Sequence, residues 1–141
     1  MSLVFDREAV EKILPHRHPF LFVDEIIELV PIQRVVGLVR IAETGTFLLK
    51  DGAETYFPST LLIEAMAQVG AILVLHPEEN RGRTIYFRGI DHAEFHNRVP
   101  AGTTVRIEGT VRRMRGRLGS LQMKAFFEDM LAAEGLMRFA L

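Results

Sequence analysis

Glu64 and Gln68 are the residues of this chain whose types and spacing most directly suggest chemistry. They stand four apart in Ser59-Thr60-Leu61-Leu62-Ile63-Glu64-Ala65-Met66-Ala67-Gln68, on one face of a segment that is otherwise small or apolar. On a helix that spacing makes two side chains meet, inside the protein or at the wall of a pocket. A carboxylate removed from water is costly unless it is protonated or well hydrogen-bonded, so its presence there favours a functional role. The structural alternative is a carboxylate satisfied by backbone donors or by a basic partner across a dimer interface. Immediately upstream, Pro58-Ser59-Thr60 opens the helix with backbone N–H groups, which can hold an oxyanion or a polarised carbonyl. Ser59 and Thr60 therefore join Gln68 as candidate substrate-binding residues, although Ser59 also fits an ordinary N-cap.

These groups need a scaffold to position them. Ser59 to Leu75 is small or apolar on all sides apart from Glu64 and Gln68, which predicts a helix buried in a core. It is shorter than the roughly 20 residues that cross a bilayer, and its two polar residues fall mid-run, so a membrane span is not expected. Asp6 is placed to cap a short helix running through Glu11 to Leu14, stopped by Pro15 and Pro19. Phe20 to Val30 is rich in strand formers but carries Asp24, Glu25 and Glu28, which suggests a strand with an edge or a bend. Gln33 to Ala42 and Thr46 to Leu49 read as strands, and Lys50 to Pro58 as a loop. Beyond the long helix, Arg83 to Gly89, Thr104 to Met114, Leu118 to Glu128 and Leu131 to Leu141 read as strands. Strict alternation in Val105-Arg106-Ile107-Glu108-Gly109-Thr110-Val111-Arg112 marks a sheet with one wet face. A long buried helix among antiparallel strands buries all its faces only if the sheet curls around it, giving an α+β class.

The 141 residues fit one domain, 1–141, and the 48% apolar content, with ten Phe, is enough to build a core. Cysteine is absent, which excludes disulfide frameworks, thiolate metal sites and cysteine nucleophiles. The N-terminal Met1-Ser2-Leu3-Val4-Phe5-Asp6-Arg7-Glu8 reaches acids before any signal-length apolar run, so a cytoplasmic protein is expected. Residues 1 to 80 hold 6 Lys or Arg against 12 acids, whereas 81 to 141 hold 11 against 6. Nine arginines fall between 81 and 117, and such a stripe either steers an anionic partner or simply faces solvent. Nucleic acid is not the expected partner, because no recognition motif accompanies the arginines.

Four segments, in order along nearly the whole chain, carry a resemblance. They are Leu14-Pro15-His16-Arg17-His18-Pro19-Phe20-Leu21-Phe22-Val23-Asp24, Pro58 to Gln68, Gly89-Ile90-Asp91-His92-Ala93-Glu94-Phe95, and Arg98-Val99-Pro100-Ala101-Gly102. Together they resemble signatures of the (3R)-3-hydroxyacyl-acyl carrier protein dehydratases. The resemblance implies a hot-dog fold, an antiparallel sheet wrapped on a central helix, and a dimer with acyl tunnels at the subunit interface. It implies a 3-hydroxyacyl substrate on the phosphopantetheine arm of acyl carrier protein, and loss of water to give the trans-2-enoyl thioester. In that family a histidine removes the proton beside the thioester, and the carboxylate matched by Glu64 handles the leaving hydroxyl. The helix N-terminus holds the carbonyl, and the glutamine matched by Gln68 supports the carboxylate. No cofactor and no metal is implied.

The match fails at the base. The family histidine stands in a Gly-His-Phe-Pro motif about fourteen residues before the glutamate, and that position here is Lys50, or Tyr56 if the loop is shortened. A positioned base contributes typically ~10²–10⁴ in rate, equivalent to roughly 3–5 kcal/mol of barrier. His18, which stands where the family usually has tyrosine, is a candidate replacement, as are Lys50 and Tyr56 themselves. His16 is the family's usual histidine in its segment, and His76, His92 and His96 show no metal-ligand spacing. Three functions follow as expectations. The first is a dehydratase acting on carrier-bound substrate. The second is a thioesterase of the same fold, which would activate water instead. The third is a non-catalytic acyl-binding or partner subunit.

Overall fold

The computed structural model describes residues 3–141; Met1 and Ser2 of the N-terminal stretch read above lie outside them. Asp6 caps the first helix as its side chain predicts, its Oδ1 accepting from the Ala9 N–H at 2.9 Å, and α1 runs Arg7–Ile13. Val10 and Ile13 face the core from it. The chain then passes through an irregular segment closed by bonds from the Phe20 and Leu21 N–H groups to the Arg17 carbonyl. Phe20 to Asp24 are therefore not part of a strand, and β1 is confined to Glu25–Val30. It pairs with β2 (Arg34–Arg40) with a bulge between Ile26 and Glu28, and it lies at a sheet edge, which explains its tolerance of acids.

The stretch expected to be a loop contains a hairpin. β3 (Leu49–Asp51) and β4 (Glu54–Phe57) pair antiparallel around Gly52, whose φ of 63° is a left-handed conformation that suits glycine. All three β3 residues are exposed, so no alternation betrays the strand, and Thr46 to Leu48 precede it without joining it. The second helix, α2, spans Ser59–Leu75, matching the sequence reading. After a short turn of 3-10 helix at Glu78–Asn80, β5 runs Tyr86–Phe95. The strand expected at Arg83 is thus shifted, because its register is set by pairing with the last strand, from Tyr86 opposite Ala140 to Phe95 opposite Ala133. β6 (Val99–Pro100), β7 (Thr104–Arg115), β8 (Leu118–Phe127) and β9 (Met130–Ala140) complete the chain.

Six strands form one antiparallel sheet in the order β1-β2-β7-β8-β9-β5, and β3-β4-β6 form a smaller one. The period-two pattern puts Val105 and Ile107, Leu121, Met123 and Ala125, and Met137 and Phe139 on the inner face, all fully buried. α2 lies on that face against β2, β7, β8 and β9. This is the expected α+β class, with the sheet covering one side of the helix. Among the described residues no helix is long and apolar enough to cross a membrane.

Cross-strand rows alternate large and small residues where the helix presses down. Val35, Gly109, Met123 and Gly135 are successive partners, and the Met123 side chain fills the space over Gly109, where an added Cβ would meet its Sδ at 2.8 Å. On the helix, Gly70 lies so close to β8 that a Cβ would meet Leu121 Cδ1 at 2.8 Å and Met123 Sδ at 3.4 Å. Gly70→Val should therefore destabilise the protein by about 1–3 kcal/mol through overpacking. Gly45→Ala, where no atom lies within 4 Å of the new carbon, should change stability by less than ~0.5 kcal/mol. Urea unfolding midpoints for the two variants check the contrast, and equal midpoints would contradict the packing account.

Candidate active site

α2 begins without a side-chain cap. Pro58 is the N-cap residue, and its carbonyl accepts from the Leu61 N–H at 3.1 Å and the Leu62 N–H at 3.0 Å. Ser59 is the first helical residue, so it does not act as the N-cap. Ser59 and Thr60 are exposed, and helix geometry leaves their N–H groups without partners in the helix itself.

The helix is not covered all round. Its sheet-facing positions and its C-terminal half are buried, but Glu64 opens to solvent with 47% of its side chain accessible, which corrects the expectation of an enclosed carboxylate. The sheet covers one side of α2, and the other side faces α1, the segment after it and Arg83 to Phe87. Gln68, one turn on, is 1% exposed and fully engaged. Its Oε1 accepts from the Phe22 N–H at 2.9 Å, and its Nε2 donates to the Phe20 carbonyl at 2.8 Å and to Glu64 Oε1 at 3.1 Å. The expected meeting of the two side chains therefore occurs at a pocket wall. His16 reaches the same carboxylate oxygen, with Nε2 3.5 Å from Glu64 Oε1, while its Nδ1 is buried with no hydrogen-bond partner among the described residues.

Glu64, Gln68 and His16 stand at one end of a groove of about 450 Å³. Ala67, Ala71 and Leu75 of α2 continue it away from Glu64, between the Ile13–Arg17 segment on one side and Arg83, Ile85 and Phe87 on the other. From Glu64 to Leu75 this face extends about 16 Å at 1.5 Å per residue, with small or apolar side chains after the polar head. Such a shape suits a chain molecule carrying one reactive polar end.

The other sequence candidates are placed elsewhere in the chain. His18 is exposed and lines a second cavity of about 360 Å³ with Phe22, Phe47 and Phe57; Glu64 is not among its walls. Lys50 is exposed in β3 opposite Thr55. Tyr56 lies beneath the Arg98 guanidinium, 4.2 Å from the ring centroid, and Arg98 is itself bound to Asp51 at 3.0 Å and Glu54 at 3.4 Å. The hydrogen bond to Asp51 raises the Arg98 pKa, so the cation over the ring is permanent. None of His18, Lys50, Tyr56, Ser59 or Thr60 lines the groove that holds Glu64. His16 is the histidine that sequence reasoning passed over, and its signal was only its place in the Leu14-Pro15-His16 run.

Two further histidines have local roles. His76 Nδ1 lies 2.9 Å from the Leu73 carbonyl at the end of α2. His96 is hydrogen-bonded to Glu134 at 3.0 Å and lies 3.6 Å from Glu94, a cluster joining β5 and β9 that separation along the chain concealed.

Residues 14–135 match the family model described as FabA-like domain. The chain is 40% identical over 139 residues to the 3-hydroxyacyl-[acyl-carrier-protein] dehydratase FabZ of Desulforamulus reducens, covering 98% of each chain. It is 38% identical over 135 residues to the FabZ of Bacillus cytotoxicus, covering 95% of this chain and 94% of that one. A similar solved structure is that of the dehydratase heterocomplex ApeI:P from Xenorhabdus doucetiae, with a TM-score of 0.79 and 19% identity over 93% of this chain and 89% of that one. This structural likeness concerns the fold, and hot-dog architecture is what the two share.

Gln68 is the structural keystone of the groove's polar end. Gln68→Leu would leave the buried Phe22 N–H without its partner, at about 1–3 kcal/mol, and would free the part-buried Phe20 carbonyl. The expected result is a thermal transition lowered by several degrees in calorimetry. An unchanged transition would show that the amide does not hold the segment in place.

Proposed function

The chain belongs to the FabA-like domain family, and on that premise we propose that it is a (3R)-3-hydroxyacyl-acyl carrier protein dehydratase. It would be a hydro-lyase, taking water from carrier-bound 3-hydroxyacyl thioesters to give trans-2-enoyl thioesters in fatty acid or related acyl-chain synthesis. The observation that carries the reading is the Glu64–Gln68 pair at the polar end of an apolar groove, in a chain about 40% identical to dehydratases along their whole length. Glu64 protonates the departing hydroxyl, and Gln68 orients it. An acyl chain laid along the groove excludes water from Glu64. The Ser59 and Thr60 N–H groups lie at the positive end of α2 but outside the groove, so they hold the thioester carbonyl only where the substrate extends past Glu64 toward the start of the helix. His18, Lys50 and Tyr56 remain proposed bases only if a second subunit brings them to the groove.

The proposal includes a homodimer in the cytoplasm. β5 is an open sheet edge that exposes Tyr86, Ile90 and Phe95, and pairing with a second copy would cover it. It also includes acyl carrier protein as an acidic partner. Of the arginine stripe, Arg98 is held by Asp51 and Glu54 and Arg81 donates to the His76 carbonyl. Arg112, Arg113, Arg115 and Arg117 surround the β7–β8 turn, exposed and without an ion pair among the described residues. Register places Arg115 opposite Leu118, Leu118 opposite Ala140 and Ala140 opposite Tyr86, so the basic turn and the Arg83 end of the groove share one end of the sheet. A non-catalytic subunit is the competing reading, favoured by Lys50 and Tyr56 at the positions where the family histidine is expected.

Mass spectrometry of a 3-hydroxyacyl carrier protein incubated with the pure protein tests the reading. Loss of one water from the acyl group supports the dehydratase, release of free acid indicates a thioesterase, and an unchanged acyl group supports the subunit role. In the first case Glu64→Gln should lower turnover at least ~10²-fold with melting preserved.

Charge reversal of Arg112, Arg113, Arg115 and Arg117 to Glu should weaken carrier binding at least ~10-fold at low ionic strength, with the difference shrinking as salt rises. Titration calorimetry at two salt concentrations reads this, and a salt-independent affinity would assign the turn to solvated surface.

A further inference from the structure

We propose that His16 is the catalytic base of this chain, working with Glu64 as an acid–base pair. This rests on the dehydratase reading and supplies the group that Lys50 and Tyr56 do not. Three observations converge on it. His16 Nε2 is 3.5 Å from Glu64 Oε1, both side chains open into the same groove, with 33% and 47% of their surface accessible, and Gln68 donates to that same carboxylate oxygen at 3.1 Å. A substrate lying over this end of the groove therefore meets an imidazole and a carboxyl group together, within reach of adjacent carbons of one acyl chain.

The ring is held in place from its own segment. Arg17 Nη1 donates to the Leu14 carbonyl at 2.9 Å and to the His16 carbonyl at 2.7 Å, which fixes the backbone on either side of Pro15. Its guanidinium Nε turns to Glu11, 3.3 Å away. Nδ1 is shut into the protein without a partner, so Nε2 is the nitrogen available to substrate. Besides Glu64, the charged groups around the groove are Glu11 and Lys12 of α1, Arg17, and Arg83 across from them.

The chemistry balances within this pair. Nε2 of neutral His16 takes the proton from C2 of the 3-hydroxyacyl thioester, and the electrons of that C–H bond form the C2–C3 double bond. The C3–O bond breaks toward oxygen, and the departing hydroxyl collects the proton of Glu64 and leaves as water. His16 is then protonated and Glu64 ionised. The contact between Nε2 and Oε1 returns the proton from one to the other and resets both for the next turnover.

The test compares wild type, His16→Gln and His16→Ala for water loss from a 3-hydroxyacyl carrier protein, each with its melting temperature. His16→Gln keeps a polar group facing Glu64 but carries no exchangeable base, so turnover should fall at least ~10²-fold with KM changed much less. His16→Ala should regain activity when free imidazole is added, which a variant that had only lost structure would not. The limb of the wild-type kcat/KM profile that rises with pH as an imidazole loses its proton should be absent from His16→Gln. Wild-type activity that survives in His16→Gln overturns the assignment alone. A wild type that releases no water overturns the dehydratase reading itself and takes the assignment with it.

Discussion

A single buried amide ties the catalytic geometry to the fold. Gln68 satisfies the Phe22 N–H and the Phe20 carbonyl at once and still has a hydrogen left for Glu64. No other residue type of its length both donates and accepts in this way while remaining uncharged in a core position. Because the segment from Leu14 to Asp24 lacks a helix or strand of its own, these bonds replace the ladder that would otherwise satisfy its backbone. The ring of Phe22 then packs edge-on against Phe57 at 5.6 Å and near Phe47 at 6.0 Å, so the same clamp fixes the residue that precedes the Pro58 cap of α2.

α2 serves two environments with one sequence. Toward the sheet it presents Leu62, Ala65, Met66, Val69 and Ile72, and Gly70 lets β8 approach closely. Toward the groove it presents Glu64, Gln68, Ala67, Ala71 and Leu75. Small residues on the second face leave room for a ligand where larger ones would fill the space with protein. A helix with little amphipathic contrast therefore has two functional sides, the one closed by packing and the other left open for substrate.

The hairpin of β3 and β4 places Lys50 and Tyr56 apart from Glu64. Lys50 sits on an exposed strand whose neighbours are Thr55 and solvent, and Tyr56 is covered by a guanidinium locked to two carboxylates. Neither side chain reaches the groove that holds Glu64. The carboxylates of Asp51 and Glu54 on this hairpin hold Arg98 beside β4. The polar groups that stand beside Glu64 are His16, from the Leu14–Asp24 segment, and Gln68, which binds that segment.

Much of this was legible in the amino-acid sequence. The α2 limits, the Asp6 cap, the alternation of β7 and the pairing of Glu64 with Gln68 follow from periodicities and capping chemistry that act over a few residues, and the family resemblance follows from four short motifs. Tertiary structure decided the remainder. Lys50 to Phe57 forms a hairpin although its exposed residues show no pattern, and β5 starts at Tyr86 because β9 sets its register. Glu64 proved open because burial depends on which side of a helix the sheet covers, and a uniformly apolar helix does not encode that choice. His16 and not His18 came to stand beside Glu64, a difference of two positions in a segment without regular structure. The long-range bonds of Gln68, across 46 and 48 residues, orient that segment together with those from Arg7 to the Leu21 and Val23 carbonyls, and no local rule of sequence anticipates them.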